Sequence, residues 1–301
     1  MIVNKAALDG LFVNLKTTFN KAFESTETVW AKIAIKVPST GSHNDYKWLK
    51  NFPRMQKWVG SKNVKALEGD NYVIKNDDWE VTVEVDRNDI EDDQLGIYKP
   101  QAESAGWSAK QLPDEIVGEL AASVFTKLCF DGQYMCDTDH SVGSSTVSNK
   151  GTAVLSIATL ALAQAGYGAA RTAMRKFKDE EGRPLQVRPN VLMVSPALED
   201  TANALINTDR LEDGKPNPYK GTAEVIVNDW LTSDTAWFLL DTTKSVKPFI
   251  YQERKAPVFV SQVDMNADNV FMHKKYLFGA EARAAGGYGF WQLIWGSTGA
   301  G

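Results

Sequence analysis

Three features make this 301-residue chain an α+β protein: helical periodicity at its start and through its middle, a strictly alternating strand before residue 87, and short β-rich blocks after residue 187. With 43% apolar and 24% charged residues, the composition is that of a globular chain with apolar material for one large domain or two ordinary ones. The net charge of −5 and a sequence pI near 5.4 leave no clustered basic footprint for gripping a nucleic-acid backbone. Two cysteines are too few for a disulfide framework and read as free thiols. No apolar run approaches the ~20 residues that span a bilayer, and the start lacks a signal-peptide pattern. The expectation is therefore a protein that stays in the cytoplasm where it is made, without a membrane partner.

In chain order, Leu8, Leu11, Phe12, Leu15, Phe19 and Phe23 recur at three- and four-residue steps and predict a helix over 5–23, with Asn4 as its cap. Its apolar face must lie on the chain's own body or on a neighbouring copy. A first strand is expected at Val29–Val37. Residues 38–86 mix Gly, Pro and Asn with Trp48, Phe52, Trp58, Tyr72 and Trp79. They close in an alternation that puts Trp79, Val81, Val83 and Val85 on one face and Glu80, Thr82, Glu84 and Asp86 on the other. That is a half-buried strand, read as the returning arm of a long hairpin too aromatic to leave in water.

The middle of the chain predicts helical structure from about Asp89 to Leu128, with Pro100 and Pro113 as breaks or first turns. Its apolar stripe is Ile116, Val117, Leu120, Val124, Phe125 and Leu128. A second helix, rich in small residues, is expected from about Thr152 to Phe177. From Val187 the blocks shorten: VRPNVLMVS as a strand, PALEDTANALIN as a helix, a polar loop, then AEVIVN and AWFLLD as strands. KPFIYQE, PVFVSQV and VFMHKKY continue in strand-like fashion, and no internal repeat is visible.

One stretch advertises chemistry. CFDGQYMCDTDH, Cys129 to His140, holds both cysteines, three aspartates and one of three histidines. Structural zinc sites favour four ligands in two close pairs, but these cysteines have six residues between them and no second Cys/His pair exists. A packed turn is the stronger reading, with Phe130 and Tyr134 as anchors, Gly132 permitting the turn, and Asp137 or Asp139 accepting from nearby amides. A metal-dependent hydrolase using Cys136, Asp139 and His140 is the rival from another class. The acidic run NDIEDD fits a helix start. The Gly-rich GAEARAAGGYGFW matches no nucleotide cradle, and neither GxSxG nor HExxH occurs. No catalytic, cofactor-binding or metal-ligating residues are expected, and no enzymatic activity.

Longer strings carry a resemblance. RNDIEDDQLGIY, CFDGQYMCDTDHSV, SVKPFIYQERKAP and NVFMHKKYLFGAEARAAGGYGFWQ, preceded by WLKNFPRMQKWVG, together resemble the major head subunit of Mu-like tailed phages. The resemblance implies the Hong Kong 97-type capsid fold. Its parts would be an N-terminal arm (1–37), an extended E-loop hairpin (38–86), a peripheral domain (87–186) with a spine helix at about 89–129, an axial domain (187–246), and a return to the peripheral domain (247–301). It further implies a subunit that assembles as hexamers and pentamers into an icosahedral shell around double-stranded DNA. Assembly would take place in the host bacterial cytoplasm and end in the virion capsid. Scaffold, portal and decoration proteins would be partners, with DNA enclosed but not tightly or sequence-specifically bound. Phe12, Phe19, Trp48, Phe52, Trp58 and Trp79 are the candidate inter-subunit contacts. The family-like sequence starts almost at Met1, so no cleaved scaffolding segment is expected. A cellular nanocompartment shell of the same fold is the nearer alternative.

Overall fold

The computed structural model describes residues 5–50, 72–92, 95–264 and 267–300. Helix α1 (Lys5–Ser25) buries Leu8, Leu11, Phe12, Leu15 and Phe19 and leaves Val13 in solvent, as its periodicity requires. The expected first strand begins with a helical turn instead, α2 (Trp30–Ile33), before β1 (Ala34–Pro38). The cause lies far along the chain: the Asp114 carboxylate accepts from Val29 N (3.0 Å) and Trp30 N (2.6 Å), satisfying the amides that open the turn.

β2 (His43–Asp45) and β3 (Val73–Lys75) pair antiparallel and form the root of the predicted hairpin. Phe52 and Trp58 lie outside the described residues. β4 (Asp77–Asp86) shows the predicted alternation, with Val85 buried and Trp79, Val81 and Val83 half-buried. It is not the returning arm, however; that role falls to β3. A ten-residue strand finds a full ladder only against a strand of comparable length, which the three-residue β2 cannot supply.

Asp86 accepts from Asn88 N (2.8 Å) and caps α3 (Arg87–Glu91). The long helix α4 (Lys99–Ala122) follows, so the single helix expected over 89–129 is two. Pro100 sits in the first turn, as predicted. Pro113 does not break the helix, although it cannot donate to the carbonyl one turn back. Burial of Ala105, Ala109, Leu112, Ile116, Val117 and Leu120 along the same helix outweighs that loss. The helix ends early, at Ala122, but the stripe carries on into the core with Val124 fully buried and Phe125 half-buried, and of its members Leu128 is exposed.

A small hairpin, β5 (His140–Val142) with β6 (Ser145–Val147), leads to β7 (Lys150–Gly151). The second long helix starts eight residues later than expected. The Ala153 carbonyl accepts from Trp237 Nε1 (2.9 Å) and Ser297 Oγ (2.6 Å), which holds this stretch out of a helix. Helix α5 (Leu160–Ala163) is capped by Thr159 and runs through a π turn (Gln164–Gly168) into α6 (Ala169–Arg175). β8 (Val191–Val194), α7 (Glu199–Asn207), β9 (Glu224–Val227) and β10 (Trp237–Leu240) come next, close to expectation.

KPFIYQE and PVFVSQV form one strand, β11 (Phe249–Gln262), irregular in register between Glu253 and Val258. VFMHKKY is not a strand throughout: α8 (Asp268–His273) ends on Lys274 in the left-handed region, and β12 (Lys275–Tyr288) starts there. β13 (Ile294–Ser297) is the last strand.

Two sheets result. The first has the order β1-β11-β12-β4, parallel at β1/β11 and antiparallel otherwise, with α4 packed on it and α1 packed on α4. In the second, β7-β13-β10-β8-β9, every residue of β8 and β10 is buried, which explains their unbroken apolar sequences. Residues 247–301 divide between the two: β11 and β12 belong to the first sheet, whereas β13 pairs with β10 and β7 in the second. The largest apolar cluster runs through both, from Ile33 to Ile294, and a second one joins the α1 face to Val85, Tyr276 and Phe278.

Asp114 allows a direct test. Asp114→Ala removes the acceptor of two amides and is expected to cost about 1–3 kcal/mol in urea unfolding. Burial holds this carboxyl above its ordinary value, against the lowering effect of the two amides. Its contribution to stability is therefore fully present below the ordinary carboxylate range and is lost as pH rises through the raised value. Asp114→Asn keeps Oδ1 as acceptor and should abolish that pH dependence at little cost.

Candidate functional site: the arm root and a buried cluster

The residues of interest fall in two places. At the arm root, Gln252 of β11 is fully buried and ties the hairpin to the first sheet. Its Nε2 donates to Ile74 O (3.1 Å) and Asn76 Oδ1 (2.7 Å), while its Oε1 accepts from Tyr46 Oη (2.8 Å). Asn76 Nδ2 in turn donates to Ser39 Oγ and Gly41 O, both at 2.9 Å. Tyr72 Oη accepts from Tyr288 N (2.7 Å). Burial pushes the Tyr46 and Tyr72 hydroxyls up to about 12, so both remain neutral. A network with each member paired holds one geometry, and here it fixes where the hairpin leaves the body.

The candidate contact residues take different positions. Phe12 packs edge-on to Phe278 at 6.2 Å between ring centroids, and Phe19 to Phe259 at 5.5 Å, so both belong to the subunit's own core. Trp48 is half-buried against Phe290 and Tyr46. Trp79 is half-buried and donates Nε1–H to Ala284 O (3.0 Å). The large apolar side chains most exposed among the described residues are others: Phe271 is 82% exposed and Met272 68%, both on α8 between β11 and β12, and Val13, Ile97 and Trp107 elsewhere follow them.

The second place is the Cys129–His140 stretch. Of Cys136, Asp139 and His140, only His140 joins the ligand-like group the fold assembles; Asp139 is exposed and Cys136 lies against Gly296 and the core. The group is instead Cys129, Asp131 and His140. His140 is fully buried, its ring stacked on Trp291 at 4.1 Å and 9°. Its Nδ1 lies 2.7 Å from Asp131 Oδ2 and its Nε2 3.2 Å from Asn149 Oδ1. Cys129 Sγ donates to Asp131 Oδ1 (3.0 Å). Burial raises the Asp131 carboxyl, but the His140 and Cys129 hydrogen bonds outweigh it and leave it below its ordinary value. Burial pushes both thiols up, which makes them poor nucleophiles.

Asn149, which sequence reasoning passed over, organises the cluster. Its Nδ2 donates to Met135 O (2.9 Å), Trp291 O (3.1 Å) and Ile294 O (3.2 Å), and its Oδ1 accepts from Asp137 N (2.8 Å). Phe130 is buried as expected and Gly132 has φ +83°. Tyr134 is 40% exposed and anchors nothing, because the strand bridge Leu128–Tyr134 turns both side chains outward. Asp137 accepts from a nearby amide as expected, its Oδ1 from Thr138 N (2.8 Å), and Asp131 does the same for the turn amide of Gln133 (3.1 Å).

A small repeat also emerges. Residues 128–134, 178–184 and 210–216 (LCFDGQY, KDEEGRP, RLEDGKP) form the same loop. In each, the second residue's N–H donates to the sixth residue's carbonyl, at 2.8, 2.9 and 3.0 Å, and the fifth is glycine with φ +83°, +78° and +77°. Left-handed backbone at that position favours glycine.

Comparison with known proteins gives a consistent picture. A family profile described as "Mu-like prophage major head subunit gpT" matches residues 8–160, 152–231 and 232–300. The chain is 31% identical over 293 residues to the major capsid protein of Escherichia phage Mu, covering 97% of this chain and 74% of that one. The procapsid subunit of bacteriophage JBD30 superimposes with a TM-score of 0.61 at 28% identity, over 98% of this chain and 76% of the other. The subunit of the JBD30 capsid decorated with minor capsid protein trimers gives 0.61 at 27%, over 69% and 92%.

Proposed function

The chain belongs to the Mu-like prophage major head subunit gpT family, and from that premise we propose how it builds a shell. It is a major capsid protein with the Hong Kong 97-type fold and a structural component of the phage head. In our reading, subunits associate as hexamers and pentamers into an icosahedral shell that encloses double-stranded DNA, assembled in the host bacterial cytoplasm. Residues 1–37 serve as the N-terminal arm, 38–86 as the E-loop, α4 as the spine of a peripheral domain, and the second sheet as the core of an axial domain. A scaffold protein, a portal and a decoration protein are the other partners; decoration by minor capsid protein trimers in the JBD30 capsid supports the last.

The observation that carries this reading is the pair Phe271 and Met272, two adjacent large apolar side chains in solvent at the end of the long β11–β12 hairpin. An isolated subunit gains nothing from them, whereas a repeated contact around a closed assembly buries them in every copy. The paired β2 and β3, with Trp48 and Trp79 beside them, are the second place from which we read a contact with a neighbour. Electron microscopy of the full chain, alone and with its scaffold, tests this: closed shells or hexameric plates are expected. Phe271→Ser with Met272→Ser should keep the subunit's melting temperature and abolish assembly. A monomer persisting under every condition would overturn the proposal.

A further inference from the structure

The Cys129, Asp131 and His140 ligand atoms lie within 4.8 Å of one another. Two features around them point to a ligand. First, the orientation of Asn149 is settled by the three carbonyls its Nδ2 faces, so its Oδ1 is an acceptor toward His140 Nε2. With Nε2 donating, Nδ1 points straight at the Asp131 carboxylate, and two electron-rich atoms can face each other only with a positive centre between them. That centre is either a proton or a metal ion. A ligating histidine held by a hydrogen bond from its other ring nitrogen, with the ligating carboxylate itself hydrogen-bonded, is the usual outer shell of a protein metal site. Gln133 N supplies the latter bond here.

Second, the three sister loops treat their carboxylates differently. In the loop at 178–184, Arg183 pairs with Asp179 and Glu181, and in the loop at 210–216 Lys215 lies 3.7 Å from Asp213. The equivalent position in the loop at 128–134 is the uncharged Gln133, and the second position carries a thiol directed at the carboxylate. The loop without its own cation is the one that gathers sulfur, nitrogen and oxygen ligands.

We propose that Cys129 Sγ, Asp131 and His140 Nδ1 bind one divalent transition-metal ion of the zinc type. This donor set suits a borderline-soft ion, and three protein ligands leave one position for water. Binding replaces two protons, those of the Cys129 thiol and of His140 Nδ1. Carboxylate, imidazolium and thiol sum to zero charge, as do carboxylate, thiolate, neutral imidazole and a dication. Tetrahedral ligand bonds of about 2.0–2.3 Å require the contacts of Asp131 to His140 (2.7 Å) and Cys129 (3.0 Å) to open by roughly half an ångström, a movement the 128–134 loop can make. The ion would fasten that loop to β5 and, through Asn149, to the carbonyls around β13.

Cobalt(II) titration of the purified full-length protein, after chelator treatment, tests the site. A thiolate-to-cobalt band in the near ultraviolet, saturating at one ion per subunit, is expected. Competition by zinc should remove it, Cys136→Ser should retain it, and Cys129→Ser should lose it. Elemental analysis of untreated protein should give zinc near one per subunit, falling at least tenfold in Asp131→Asn. Zinc below a tenth of an equivalent together with no band, or a band that survives Cys129→Ser, would overturn the proposal in favour of a protonated Asp131–His140 pair.

Discussion

Asn149→Ala is expected to cost more than about 4 kcal/mol and to leave most of the subunit insoluble. The side chain is fully buried and every polar atom on it has a partner. Alanine strands the Asp137 N–H, one ring nitrogen of His140 and the carbonyls of Met135 and Ile294, while the Trp291 carbonyl keeps the Ile294 N–H as its other donor. Each buried polar group left unpaired costs about 1–3 kcal/mol, and part of that is recovered where water enters. Against a total stability of about 5–15 kcal/mol for a domain, the loss is a large share. Asp139→Ala, at an exposed position ten residues away, should stay within about 0.5 kcal/mol. The comparison is made by urea unfolding and by the soluble fraction on expression. A difference under about 1 kcal/mol between the two variants would show that Asn149 is not the organiser described above.

What could be read from the sequence was what depends on near neighbours. The α1 face, the alternation of β4 and the apolar runs of β8 and β10 follow from periodicity, and all appear where expected. Features set by distant partners were not readable. The turn at Trp30 exists because Asp114 supplies an acceptor, and residues 152–159 stay out of a helix while Trp237 and Ser297 hold the Ala153 carbonyl. The same distinction explains the cluster. Reading Cys136, Asp139 and His140 together assumes that closeness in sequence is closeness in space. The reversal at Gly132 instead brings Cys129 and Asp131 to His140, and sends Cys136 into the core. Aligning LCFDGQY with KDEEGRP and RLEDGKP on their glycines would have shown that reversal in advance. Nothing local would have found Asn149, whose partners Trp291 and Ile294 lie more than 140 residues on.

Gly279→Ala should detach β4 from the first sheet. Gly279 sits in β12 opposite Thr82, and a Cβ there would lie 1.9 Å from Val81 O and 2.9 Å from its carbonyl carbon. Both are backbone atoms of the neighbouring strand, so no rotamer change relieves the clash; either the two strands separate or the subunit carries the strain. The expected cost is about 3 kcal/mol or more, in the range of severe overpacking. Gly10→Ala is the opposite case. No atom lies within 4 Å of its added Cβ, and in the interior of α1 alanine should gain about 0.5–1 kcal/mol. Thermal melting of the two variants should therefore diverge in sign. The consequence for assembly is larger than the melting shift, because β4 follows directly on β3 and carries Trp79, whose indole N–H holds the Ala284 carbonyl. With β4 loosened, the hairpin keeps its Gln252 contacts but loses its continuation into the sheet, so its direction is no longer fixed. Electron microscopy should then show Gly279→Ala forming irregular aggregates while Gly10→Ala closes shells. Normal shells from Gly279→Ala would show that β4 does not set the aim of the arm.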